Sequence, residues 1–362
     1  MKRLPVNLRY VPGYVTAAIE GLQATGLGLD PRRSRQRLPV NPRYLPVYVT
    51  AALLVSLFVA GGLQFEGFAS TRVVFNLFTD NAFLAITAIG MTFVILSGGI
   101  DLSVGAVVAL SGVLCAVLIE KLGWHPWQAI PLVIVLGACL GAGMGALIHH
   151  YRLQPFIVTL AGMFFARGLA TVISEQSIPI EDAFYDAVND FGFMLPGRAW
   201  LGSATLVLIV LFAAAVWLAH FTRLGGFIYA LGGNAESAEL MGVPVGKTRV
   251  AVYALSGTLA ALSGVVYSFY TSSGYALAGV GLELDAIAAV VIGGTLLSGG
   301  AGYVHGTLLG VLVMGLIQTW ISFQGSLNSW WTRIVIGALV LVFIVLQRWL
   351  GRKLAGSRGT GA

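Results

Sequence analysis

Apolar residues run almost unbroken along this chain, in blocks separated by short polar or glycine-rich intervals. The blocks cover roughly residues 45–63, 80–97, 102–120, 127–149, 155–174, 200–220, 249–271, 284–299, 303–323 and 331–349. Most approach the ~20 residues an α-helix needs to cross the lipid hydrocarbon layer. The pattern predicts an all-α membrane protein, a polytopic bundle of about ten transmembrane helices. The eighth block is short, which fits a broken or tilted helix better than a plain span.

Two blocks meet a similar small-residue interruption. The first reads Ser97-Gly98-Gly99-Ile100-Asp101-Leu102-Ser103 and the second Ser298-Gly299-Gly300-Ala301-Gly302. Backbone released by such a break finds no hydrogen bonds in lipid, so protein or a water-filled cavity must satisfy it. Paired breaks in separate halves of a membrane protein point to a transport pathway. At an offset of 201 residues, Ser97, Gly98, Gly99 and Gly105 fall on Ser298, Gly299, Gly300 and Gly306, which suggests related halves. Gly137, Gly141 and Gly145 form a four-residue stripe, as do Gly302, Gly306 and Gly310. Such stripes let helices approach closely and predict tight packing.

Composition excludes a soluble domain. Hydrophobic residues make up 57% and charged residues 10% of the chain, against ~25% charged in soluble proteins. The net charge of +6 does not imply nucleic acid, because the bases cluster at the ends and between spans. Eight Lys and Arg precede the first span, and His149, His150, Arg152, Arg223, Lys247, Arg249, Arg348, Arg352, Lys353 and Arg358 share their face in a ten-span arrangement. Glu175, Glu181, Asp182, Asp186 and Asp190 take the opposite face. The positive-inside rule then makes both termini cytoplasmic and the 175–199 loop external.

Leu4–Ala18 recurs as Leu38–Ala52 with twelve of fifteen positions identical, yet only the second copy continues into a span. Residues 1–44 therefore read as a partly duplicated, disordered cytoplasmic extension, 45–350 as the membrane domain and 351–362 as a cytoplasmic tail. The extension lacks the features of a signal peptide. Cys115 and Cys139 lie in apolar blocks and read as packing residues. The five histidines are scattered, and no metal signature or catalytic triad is present, so no cofactor is expected in this chain.

Asp101 follows the first glycine pair. Its carboxylate either caps the next helix with Ser103 or holds the break open beside the pathway, and the roles are compatible. Arg167 is a full charge inside a span, where ionisable residues face a cavity or a partner; Glu283 and Asp285 are candidate partners. The candidate pathway residues are thus Ser97, Gly98, Gly99, Asp101, Ser103, Arg167, Ser298, Gly299 and Gly300. Tyr229–Pro244 reads as a short cytoplasmic helix with Asn234 as N-cap and Gly242 and Pro244 as its stop. Its apolar surface, from Ala235, Ala238, Leu240 and Met241, suits either the lipid interface or a soluble partner. Gly242-Val243-Pro244-Val245-Gly246-Lys247-Thr248 is one residue short of a phosphate-binding loop and follows no strand, so the chain shows no ATP site of its own.

These motifs resemble a known family. Gly90-Met91-Thr92-Phe93-Val94-Ile95-Leu96-Ser97-Gly98-Gly99-Ile100-Asp101-Leu102-Ser103-Val104-Gly105 is similar to the signature of ribose-type ABC importer permeases, as are Ala230–Asn234 with Met241-Gly242, and Ile292–Gly300. The resemblance spans residues 45–350. It implies one membrane subunit of a bacterial inner-membrane sugar importer, carrying a monosaccharide, galactofuranose or another sugar. The implied partners are a separate ABC ATPase that consumes the ATP, a second, non-identical permease subunit, a periplasmic sugar-binding protein and membrane lipid. The ATPase-coupling helix maps onto Ala230, Gly232, Gly233, Asn234, Ala238, Glu239, Met241 and Gly242. A stand-alone secondary transporter and a branched-chain amino-acid permease are the competing readings.

Overall fold

A computed structural model describes residues 44–197, 199–326 and 330–359, with side chains through residue 345. The extension predicted for residues 1–44 lies outside the described residues except for Tyr44. The membrane unit begins at Leu45.

Its helices are α1 (Leu45–Gln64), α2 (Thr71–Asp80), α3 (Ala82–Leu96), α4 (Val104–Ala116), α5 (Pro126–His150), α6 (Pro155–Ile173), α7 (Ala183–Asp190) and α8 (Ser203–Phe221). They continue as α9 (Arg223–Gly233), α10 (Ala235–Leu240), α11 (Val245–Thr271), α12 (Leu282–Ile292), α13 (Val304–Gln324) and α14 (Trp330–Gly359). The last runs without interruption through most of the predicted tail. Among the described residues seven helices are long and apolar enough to cross a membrane, α4 counting with the π-helical turn Val117–Lys121. The α2–α3 pair, bent by 56° at Asn81, makes an eighth. The other two predicted spans are shorter helices: α12 has 11 residues, and the apolar part of α14 is Trp330–Val345. The count of about ten is thus refined to seven or eight full crossings plus two partial ones.

The core is built on α11, which packs against α3, α4 and α5. Helix α3 is apolar on every side and almost wholly buried, as expected for a helix enclosed by others. Its few hydroxyls pair across helices: Thr87 donates to Ser263 Oγ at 2.8 Å, and Thr92 lies 2.7 Å from Thr307 Oγ1.

The glycine stripes close two helix pairs. A Cβ at Gly141 would strike the Tyr253 carbonyl and lie 3.2 Å from Ala254 Cα, while Gly137 meets Gly257 and Gly145 meets Val250, all on α11. Gly306 and Gly310 bring α13 against Gly293 and Ala289. Of the two cysteines, Cys115 is buried as expected; Cys139 is exposed on the outer side of α5.

The acidic 175–202 stretch is a folded cap rather than a plain loop. Strand β1 (Ile178–Pro179) pairs antiparallel with β4 (Ser273–Gly274), and β2 (Gly192–Leu195) with β3 (Ala199–Gly202). Tyr185 of α7 is buried, its hydroxyl 3.1 Å from Ser268 Oγ near the end of α11. The bases lie at the other end, where His149, His150 and Lys247 border one recess with Glu239. The molecule thus has an acidic end and a basic end.

Gly141→Leu should destabilise the detergent-solubilised protein by about 1–3 kcal/mol or more, because backbone on α11 cannot yield to the new side chain. Gly143→Leu, two residues away with nothing within 4 Å, should stay within about 0.5 kcal/mol of wild type. Thermal unfolding of the two variants checks this contrast.

Candidate functional site

Helix α3 ends in a glycine turn. Gly98 has φ 81°, its N–H donates to the Ile95 carbonyl, and Gly99 N–H reaches back to the Val94 carbonyl at 3.0 Å. This is a Schellman-type stop, which needs a residue at positive φ. Helix α12 stops the same way at Gly294, φ 92°, with Thr295 N–H donating to the Val290 carbonyl at 3.2 Å. The caps therefore match Gly98 with Gly294, whereas the 201-residue offset matches it with Gly299. The second break, residues 293–303, is longer than the first, residues 97–103, so one offset cannot align both sides of it.

The two breaks touch. Gly300 N–H donates to the Leu96 carbonyl at 2.9 Å, and a Cβ on Gly299 would sit 2.8 Å from Gly98 N. The end of α9 seals the same point. A Cβ on Gly232 would collide with the Leu96 carbonyl, and one on Gly300 would lie 2.8 Å from Gly233 Cα. Gly98, Gly299 and Gly300 therefore form, with Gly232 and Gly233, a knot of backbone in contact with backbone, while Gly99 packs against the Tyr253 and Val94 side chains. Ser97 and Ser298 lie on its rim, where the Ser97 hydroxyl donates to the Val94 carbonyl.

Asp101 is fully buried. Its Oδ1 accepts from Ser103 N–H at 3.0 Å and Ser103 Oγ at 2.6 Å, and its Oδ2 accepts from Ser256 Oγ at 2.7 Å. Ser103 is the residue at the N-cap of α4, but its side chain makes no capping bond. Asp101 thus folds the break into an Asx turn and ties it to α11, instead of capping α4 directly. The Ile100 carbonyl accepts from Thr159 Oγ1 of α6 and from the Tyr253 hydroxyl of α11, each at 3.3 Å. Ser256, Tyr253 and Thr159 were not anticipated, because a lone hydroxyl inside an apolar helix carries no sign of what it will meet.

Arg167 holds a third non-helical stretch. Its Nη1 donates to the carbonyls of Ala276 and Ala278, both at 2.6 Å. Gly274 lies against Gly112 and Ala116 of α4, while a Cβ on Gly279 would be 3.2 Å from the Gly105 carbonyl. Between these contacts the chain descends along α4 by roughly 10 Å, at 1.5 Å per helical residue. The eighth crossing is therefore an arm of successive turns, residues 275–281, followed by the short α12. Glu283, on the first turn of α12, lies against Gly105 and acts on Arg167 through space. Asp285 turns away, towards Arg333. Glu283 Oε2, at the start of α12, and Thr295 Oγ1, in the second break, are the buried side-chain atoms left without a hydrogen-bond partner among the described residues. The glycines at 274, 279 and 281 were the available signal for the arm.

The predicted single cytoplasmic helix is two helices meeting at Asn234. Ala230, Gly232 and Gly233 close α9; Asn234 caps α10, its Oδ1 accepting from Ser237 N–H at 2.7 Å. Gly242, φ 82°, ends the turn after α10 as expected. Ala238 is buried against the bundle, so it does not join the exposed apolar face. Leu240 is 90% and Met241 73% exposed, beside exposed Glu236 and Glu239. The histidines are less scattered than expected: His220 and His305 come within 6.5 Å between centroids, with Tyr303 stacked 5.0 Å from His305. No group able to hold a metal ion occurs among the described residues.

Arg167→Ala should destabilise the protein by about 1–3 kcal/mol for each carbonyl left unpaired. Arg167→Lys, which keeps a donor but not the fork, should lose less. Thermal stability of purified variants reads the difference, and equal stability of Arg167→Ala and wild type would refute the brace.

Comparison with known proteins follows the same residues. The family model described as "Branched-chain amino acid transport system / permease component" matches residues 73–344. The inner membrane ABC transporter permease protein YjfF of Escherichia coli (strain K12) is 55% identical over 302 residues, covering 82% of this chain and 91% of the relative. The fructose import permease protein FruG of Bifidobacterium longum (strain NCC 2705) is 39% identical, covering 82% and 88%. The ribose import permease protein RbsC of Escherichia coli (strain K12) is also 39% identical, covering 82% and 91%. No solved structure matches the chain. The breaks, the Asn234 turn and these relatives agree, and the chain belongs to the ribose-type ABC importer permease family.

Proposed function

We propose that this chain is the membrane subunit of a bacterial inner-membrane importer that moves a monosaccharide inward by alternating access. A separate ABC ATPase supplies the energy, a periplasmic binding protein delivers the sugar, and a second permease subunit, a non-identical homologue, completes the pathway. Both termini face the cytoplasm in this reading, with the basic end inside and the acidic cap outside. Galactofuranose is the proposed sugar, on the sequence resemblance; the fructose and ribose import relatives favour the wider sugar class over branched-chain amino acids.

One observation carries the mechanism: the backbone knot joins α9 to both breaks. The ATPase engages α10 through Leu240, Met241 and the acidic residues beside them. Asn234 links α10 directly to Gly233 and Gly232, which press on Gly300 and Leu96. A displacement of α10 therefore reaches α3 and the 293–303 break within one contact. The chain itself consumes no ATP in this scheme. The resting arrangement of Asp101 argues against a stand-alone ion-coupled carrier, because both its oxygens already accept from Ser103 and Ser256.

Reconstitution with the ATPase, second permease and binding protein tests the reading. ATP-driven sugar uptake is expected; uptake sustained by a proton gradient without the ATPase would overturn it. Asn234→Ala removes a helix cap worth about 1 kcal/mol and, like Glu239→Ala, should uncouple ATP hydrolysis from uptake while the protein stays in the membrane. Normal coupling ratios in both variants would exclude α10 as the docking element. Gly99→Leu should abolish uptake with expression retained, since its Cβ meets the Tyr253 hydroxyl that holds Ile100. Wild-type uptake by this variant would take the first break out of the transport cycle.

A further inference from the structure

A pocket of mixed polar and apolar lining at the acidic end takes no part in the breaks, the knot or the α9–α10 turn. It lies between α12, the end of α13 and the start of α14, has a volume of about 590 Å3, and is bordered by Asp285, Gln318, Ser322, Trp330, Thr332 and Arg333. That volume is within the ~300–1,000 Å3 usual for small-molecule sites. The mixture of groups is unusual for a helix surface otherwise fitted to lipid. Asp285 offers a carboxylate, Arg333 a guanidinium, Gln318 both an amide donor and an acceptor, and Ser322 and Thr332 hydroxyls. Trp330 adds an aromatic wall, with the Arg333 guanidinium carbon 5.3 Å from its ring centre.

The charges select the ligand class. One carboxylate faces one guanidinium across the pocket, so it holds no net charge for an ion. An anionic lipid headgroup would meet Asp285, and a cation would meet Arg333. A neutral molecule whose groups both donate and accept suits the polar side of the lining, and Ile321, Ile336 and the indole face not taken by Arg333 suit an apolar C–H face. A monosaccharide has both properties. The position also fits. Arg333 lies beside Gly281, where the arm of turns enters α12, with Nη2 3.8 Å from the site of a Gly281 Cβ. The pocket therefore flanks the non-helical half of the eighth crossing, on the side away from Glu283 and Arg167.

We propose that this pocket is a weak monosaccharide subsite at the mouth of the pathway, with Asp285 and Arg333 hydrogen-bonding hydroxyls and Trp330 stacking on the sugar ring. The assignment rests on the sugar-importer reading. Sugar released by a binding protein would be held here before the arm and α12 move.

The test uses the reconstituted importer carrying Ser322→Cys in a Cys139→Ser background. Uptake of D-ribose, D-fructose, D-xylose and D-galactose is measured first, and the sugar taken up is then added at millimolar concentration during maleimide labelling. Sugar should slow labelling severalfold, and Asp285→Asn should remove that protection. Trp330→Ala should lower uptake about tenfold, the scale of one lost interaction, while Trp330→Phe keeps most of it. Unprotected labelling by a sugar that the same vesicles import would overturn the subsite and leave the importer reading intact. ATP-driven uptake of branched-chain amino acids, with none of the four sugars or of galactofuranose, would overturn the sugar-importer reading on which the subsite depends.

Discussion

Everything in this fold depends on one constraint: backbone that leaves the helix at membrane depth must be hydrogen-bonded by the protein itself. The chain leaves the helix there at residues 97–103, 275–281 and 293–303. Each departure is met by side-chain donors from helices packed beside it, α6 serving two of them. Thr159 and Tyr253 serve Ile100, Arg167 serves Ala276 and Ala278, and Tyr229 serves the Gly302 carbonyl at 2.8 Å. The Gly300–Leu96 bond then lets two departures satisfy each other. A charge such as Arg167 is expensive inside a span, and it is tolerable here because it replaces two unpaired carbonyls with charge-assisted hydrogen bonds.

The same constraint makes these segments natural moving parts. A continuous helix has to break many intrahelical bonds to bend, whereas a break braced by side chains exchanges a few. Each such hydrogen bond contributes about 0.5–1.5 kcal/mol net. Inverting a two-state population from 1:99 to 99:1 takes about 5.5 kcal/mol, so rearranging a handful of braces is the right scale. In the proposed transport cycle the glycine knot would couple that rearrangement to α9: with no side chains between Gly232, Gly300 and Gly98, there is no soft layer to absorb a displacement.

Much of the fold was legible because its signal is local. Apolar blocks of the right length gave the helices, glycine spacing gave the α5–α11 and α12–α13 contacts, and Asn234 with Gly242 marked the ends of α10. What escaped was set by tertiary contact. The Arg167 side chain gives no indication that it binds carbonyls 109 and 111 residues further along. The arm at 275–281 was concealed because the apolar block began only at 284, after the chain had already descended beside α4. The helix predicted over Tyr229–Pro244 split at Asn234 because an N-cap, by its extended backbone, cannot also lie inside the preceding helix. Offset matching of Gly-rich segments failed at the second break because the inserted residues fall between its cap and the next helix.

Asp101 and Asp285 show how position divides roles between identical side chains. Asp101 is enclosed, and three donors from two residues, Ser103 and Ser256, saturate it, so it serves as a fixed joint between the first break and α11. Asp285 borders an open pocket and faces Arg333 through space, so its oxygens retain acceptor capacity for an arriving hydroxyl. The glycine pair beside Asp101 marks where the chain bends, and Asp101 fixes that bend to α11. In the proposed subsite, contact with a neutral, hydroxyl-rich substrate falls instead to the polar groups beside the start of α12, which leave acceptor capacity free.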